Sequence, residues 1–180
     1  MTKEVAGGTF TSRADSAPAL EDELRLCLAA GNRALDVDGD LNASRHYFER
    51  AYQLAEQSSD VLAMARSSLG LAGLWVSERR TAVGGAQREE RLRHALSGLD
   101  GNSVLALRIR ARLTAEADYS RGESTAIRAM LDDIRAGADP VLLAEILSLA
   151  HHCVLGPDHV GLRGELADEL IRASIRTQRR

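Results

Sequence analysis

The densest group of side chains able to do chemistry in this 180-residue sequence is His151-His152-Cys153, followed closely by Asp158-His159. Imidazole nitrogen and thiolate sulfur are ligands that zinc takes, and a helical hairpin can bring them in from two helices. The spacing works against such a site. Neighbouring residues on a helix diverge by about 100°, so at most two of His151, His152 and Cys153 face one ion. The candidate ligand set is therefore His152, Cys153 and His159. Asp158 is equally suited to cap the helix that follows it. Packing and capping explain the cluster more simply than a metal does, and no cofactor is expected.

Acid–base chemistry requires two carboxylates held together in an apolar pocket. The adjacent pairs Asp132-Asp133 and Glu89-Glu90 diverge on their helices and read as solvated. Glu165, Asp168 and Glu169 beside Arg172 read as a salt-bridged exposed face. No GxSxG elbow occurs, and Cys27 has no nucleophile motif around it. His46 and His94 read as surface histidines, and no catalytic residue is expected. Arg108 and Arg112 share a face at spacing four, so they suit either a clamp for phosphate or carboxylate or a solvated flank with Arg112 paired to Glu116. Trp75 and Tyr119, with Tyr47, are candidates to line a concave groove, with Trp75 equally able to fill the core.

The elements that must position these groups are helical. The chain has 28 Ala, 26 Leu and 22 Arg but one Lys, nine Val and six aromatic residues. That balance favours helices over strands. Scarce aromatics disfavour stacking sites for sugars or bases. The lone Lys3 excludes a phosphate-loop, Schiff-base or Ser-Lys chemistry elsewhere in the chain. A net charge of −3 provides no field to steer nucleic acid. Arg172, Arg176, Arg179 and Arg180 fit the negative end of a last helix or a docking tail. Cys27 and Cys153 read as buried hydrophobes in a reduced, cytoplasmic protein, with no signal peptide or membrane span.

Residues 1–18 lack periodicity and are expected to be a disordered leader before a single helical domain over 19–180. The periodicity predicts a first helix over 19–37 with Leu24, Leu28, Gly31 and Leu35 on one face. The second follows a cap at Asn42 and buries Tyr47, Phe48, Ala51, Leu54 and Ala55. Ser59-Asp60 caps a third, with Leu62, Ala65, Leu69, Ala72 and Trp75 on its face. A polar break over 77–86 precedes a fourth over 86–99. Ser103 caps a fifth along Leu105, Ile109 and Leu113, and a turn near 120–124 starts a sixth with Ile127, Met130, Leu131 and Ile134. Asp139-Pro140 starts a seventh in the favoured cap and first-turn positions. An eighth, capped by Asp158, carries Leu162, Leu166, Leu170 and Ile171 inward. The odd helices start near 19, 60, 103 and 139, a period of roughly 36–43 residues. Small residues at Gly31, Ala51, Gly70, Ala72 and Ala150 mark places of close approach. Four stacked hairpins fit this pattern better than a closed bundle.

Ser44, Phe48 and Ala51 stand at the small-x3-aromatic-x2-Ala spacing of a tetratricopeptide second helix, and Leu28, Gly31 and Leu35 match its first. Residues 24–57 thus resemble a degenerate tetratricopeptide unit. Residues 55–75 (AEQSSDVLAMARSSLGLAGLW), 90–99 (ERLRHALSGL), 107–119 (LRIRARLTAEADY) and 139–172, with GPDH…ELADEL near its close, run in that order. Together they resemble the helical-repeat region of actinobacterial LuxR-type regulators and related ATPase regulators. The resemblance implies an all-α, right-handed superhelical array of about four antiparallel hairpins, a tetratricopeptide-like solenoid. It also implies a role in sensing an inducer or partner. The phosphate-loop motif GxxxxGK[ST] is absent, and no DNA-reading domain is expected after residue 180.

These readings point to a non-catalytic binding module that takes a protein or peptide within bacterial transcriptional regulation. The alternatives are a small-molecule inducer sensor using the same groove and a metal-dependent enzyme built on the 151–159 cluster. No direct contact with nucleic acid or membrane is expected, and a homodimer formed through an end repeat is an open possibility.

Overall fold

A computed structural model describes residues 13–73, 82–137 and 139–178. Their regular structure is helical throughout: α1 (Arg13–Asp36), α2 (Leu41–Ser58), α3 (Val61–Ala72), α4 (Ala82–Ser97), α5 (Val104–Arg121), α6 (Thr125–Ile134), α7 (Pro140–Cys153) and α8 (Val160–Gln178), with a 3-10 turn at Pro157–His159 before α8. Among the described residues no helix is long and apolar enough to cross a membrane. Three of the four odd helices start within a residue or so of the expected positions. The first does not. Residues 13–18, expected to belong to an irregular leader, are helical, with Pro18 inside α1; its missing N–H costs one rung near the start of the helix.

Short polar side chains set most helix starts. Asp40 accepts from the backbone N–H groups of Asn42 and Ala43 at 3.1 and 3.0 Å, so it caps α2 in place of the expected Asn42. Asp60 accepts from Ala63 at 2.9 Å, Ser103 from Ala106 at 3.2 Å and Asp139 from Val141 at 2.9 Å. Each satisfies an amide that the first turn leaves without a partner. Two starts differ. Asp158 lies exposed inside the 3-10 turn rather than capping α8, which begins two residues later. Residues 82–86, expected in a break, already belong to α4.

Each even helix through α6 packs between the odd helices that flank it, while α1, α3, α5 and α7 pack on one another in series. Among the described residues no helix meets another more than two places away in the chain. Two apolar clusters fill the stack. One joins α1 to α5 around Ala51, Leu54, Ala65 and Leu92. The other joins α5 to α8 around Ile127, Leu131, Ile146 and Leu147. α5 belongs to both, giving Ile109 to the first and Ala111 and Ala115 to the second.

Close approach rests on small residues, as expected. The Phe48 ring lies between α1 and α3: a Cβ at Gly31 would meet it at 3.0 Å and one at Gly70 at 2.4 Å. Several expected inward residues face solvent instead: Tyr47, Leu62 and Ile171 are exposed, at 38%, 51% and 57%. Other residues of those stripes are buried as expected, including Phe48, Ala51, Leu54, Ala65 and Leu166, so Tyr47, Leu62 and Ile171 lie at the edges of the contact faces. Tyr52 is buried in α2 and Ala173 in α8.

Candidate binding groove

The inner sides of the odd helices line an open groove of about 580 Å³. α1 contributes Leu28, Asn32, Leu35 and Asp36; α3 contributes Arg66, Leu69, Gly70 and Gly73; α5 contributes Leu105, Arg108 and Arg112; α7 contributes Val141, Glu145, Ser148 and Leu149. In α1 and in α7 the lining residues follow one spacing, i, i+4, i+7 and i+8, which is one helical face. Leucine side chains form the apolar floor, and charged groups stand at several points along it.

The charges differ in their engagement. Arg108 donates from Nε to Glu145 Oε2 at 2.6 Å, tying α5 to α7 across the groove. Arg112 is 5% exposed and turns its guanidinium to the end of α3, where Nη1 donates to the Gly73 carbonyl at 2.9 Å and Nη2 to the Ala72 carbonyl at 2.5 Å. It also pairs with Glu116. The two arginines thus share a wall of the groove but do not form a two-pronged clamp: Arg112 serves as a cross-helix cap for the last carbonyls of α3. Arg66 and Asp36, both exposed on the lining, make no ion pair among the described residues.

Tyr119 lies away from the groove, packed against the α5–α8 cluster. Trp75 lies outside the described residues. Sequence reasoning singled out Arg108 and Arg112 but missed Asn32, Asp36, Arg66, Glu145 and Ser148. The signal was present as the common spacing in α1 and α7, yet only the stacking of odd helices shows which face of each is shared.

The 151–159 cluster is dispersed. Cys153 is buried with its thiol donating to the Ala115 carbonyl at 3.3 Å, and burial, with Asp118 and Glu116 nearby, pushes its pKa up to about 11. Such a thiol is a poor nucleophile and a reluctant metal ligand at neutral pH. His152 Nδ1 lies 2.8 Å from the Ser148 carbonyl, and His159 is exposed in the 3-10 turn. Among the described residues no three His, Cys, Asp or Glu side chains are placed to hold one ion.

The carboxylate face expected on the last helix is also rearranged. Glu169 bonds Arg135 just past the end of α6, at 2.8 Å for the closer oxygen. Glu165, Asp168 and Arg172 form no ion pair among the described residues. One buried acid escaped the sequence reading. Asp118, fully buried, accepts from the Ile127 N–H at 2.9 Å and from Arg121 at 2.8 Å. It caps α6 from the preceding helix, while Ser124 at the cap position makes no side-chain bond.

Compared with protein-family models, with curated proteins and with solved structures, the chain finds no match in any of the three.

Proposed function

We propose that this chain is a non-catalytic helical-repeat module, a tetratricopeptide-like right-handed array of hairpins, that binds a protein or peptide segment along the groove of α1, α3, α5 and α7. The observation that carries this reading is the groove itself: four serially packed helices present one continuous face, with leucines for an apolar ligand face and Arg66 and Asp36 to set its orientation. Series packing with no contact beyond two places supports an open array, which exposes a long inner surface by construction. The resemblance to the repeat region of LuxR-type regulators supports a setting in bacterial transcriptional regulation. A second reading has one observation in its favour. The groove volume falls within the range of about 300–1,000 Å³ typical of small-molecule sites, which fits an inducer sensor.

Two lining substitutions test the proposal. Arg66→Glu reverses the exposed cation, and Ser148→Trp fills the groove beside Leu149. Both should leave the thermal melt close to wild type while abolishing recovery of the partner that wild-type protein retains from host extract. Retention of that partner by both variants would overturn the groove as the binding surface. A small molecule that raises the melting temperature of wild type, but of neither variant, would replace the peptide reading with the sensor reading.

A further inference from the structure

α8 carries an exposed apolar face on the side away from the core. Among the described residues α8 packs along α7 and the adjoining 3-10 turn, and it is tied to the end of α6 by the Arg135–Glu169 bridge. Its inner side buries Leu166 and Ala173. Its opposite side is a stripe of Val160, Gly164, Ile171 and Ile175, with the three large residues 48–70% exposed. A Cβ at Gly164 would meet nothing within 4 Å, so the stripe has a hollow where Gly164 sits. Charged residues flank the stripe along one edge in a fixed order: Glu165 and Asp168 toward the N-terminus, Arg172 and Arg176 toward the C-terminus. None of the four forms an ion pair among the described residues; Arg176 donates to the Arg172 carbonyl, at 3.3 Å.

We propose that this face is a two-fold interface at which α8 packs antiparallel against α8 of a second copy of the chain. When a helix pairs antiparallel with itself, equivalent edges face each other in reverse order. Acid-then-base therefore becomes complementary along the whole edge. Asp168 meets the partner's Arg172, Glu165 meets the partner's Arg176, and both pairs fall in one register. The same register seats Ile175 in the hollow at the partner's Gly164. A parallel two-fold pairing would instead set this edge against the partner's opposite edge, which carries Arg163, Ala167 and Ser174 and offers no such match. The opposite end of the stack offers no such match, because on α1 Asp22 pairs with Arg25 and Glu23 with Arg50 inside the chain.

A single helix pair of this length should bury less than the ~1,200–2,000 Å² of stable standard-size interfaces, so the dimer should be weak and reversible. Sedimentation equilibrium across two decades of concentration tests it, with helix content checked by circular dichroism. Asp168→Arg and Arg172→Asp are exposed changes that should leave the fold intact, and each should weaken self-association by roughly tenfold or more. Mixed together, the two variants regain attraction at both pairs and should form a mixed dimer near wild-type affinity. Ile171→Asp should be monomeric. A wild-type chain that stays monomeric throughout, or that grows into open-ended chains, would overturn the proposal. So would a dimer that the two charge variants retain singly or fail to regain when mixed.

Discussion

Arginine does structural work here that lysine could not do in the same geometry. Arg112 divides its donors between two carbonyls at the end of α3 and Glu116 on its own helix. Arg91 holds Glu49 through two bonds of 2.6 Å and lies 4.6 Å over the Tyr52 ring, joining α4 to α2. Arg135 and Glu169 join α6 to α8 in the same manner. A planar fork suits such bidentate bridges, whereas an ammonium is a point charge. The Arg excess was legible in the composition, but it reads there as surface decoration; that it spans next-nearest helices depends on distances of 37–42 residues along the chain. Arg112→Lys should cost about 3 kcal/mol in denaturant unfolding, because an ammonium keeps the charge but cannot reach both buried carbonyls and the Glu116 carboxylate at once. A loss below about 0.5 kcal/mol would mean that α3 does not rely on this cap. Gly70→Ala should also destabilise, by ~1–3 kcal/mol of overpacking against Phe48, even though alanine is the better helix former. The milder contact at Gly31 predicts a smaller loss for Gly31→Ala.

At the scale of elements, the caps were the most readable feature and the contact faces the least. Asp60, Ser103 and Asp139 announce their helices because a short acceptor followed by a periodic run is a local signal. Asp118 could not be found that way, since it caps α6 from nine residues upstream. Asp118→Ala should therefore loosen α6 selectively, by ~1–3 kcal/mol, with faster amide exchange at Ile127 before the rest of the helix. Faces failed where alanine replaced larger apolar residues as the buried group, as at Ala173 against Ile171. Titration offers a further test of the α7–α8 junction. Burial, with Arg163 and His152 close by, pushes the His151 pKa down, so the fold keeps it neutral where the unfolded chain takes a proton. That contribution is present above about pH 6.5 and is lost as pH falls below it. The Glu49 carboxyl, held low by its bonds from Arg91, loses its contribution only later, as pH falls through the carboxylate range. The melting temperature should thus decline in two stages on acidification, and His151→Gln should flatten the first. An unchanged first stage in that variant would assign it to another group.

For the whole molecule, the helical class and the period of paired helices were visible in the spacing of leucines and turns, and the odd helices beyond the first begin where expected. A concave groove was expected from stacked hairpins, but its lining was not legible: Tyr119 lies away from it, and Asn32, Asp36, Arg66, Glu145 and Ser148 were not singled out. Which face of each helix is inner depends on how α1, α3, α5 and α7 stack, and that is fixed by contacts such as Phe48 between two glycines and Arg108 to Glu145. The proposed binding along this shared face is tested most directly by hydrogen exchange on the protein with and without whatever partner it captures from host extract. Partner binding should slow exchange in residues 28–36, 66–73, 105–112 and 141–149 together, while α2, α4 and α6 remain unchanged. Protection confined to the even helices, with the groove segments unaffected, would contradict it.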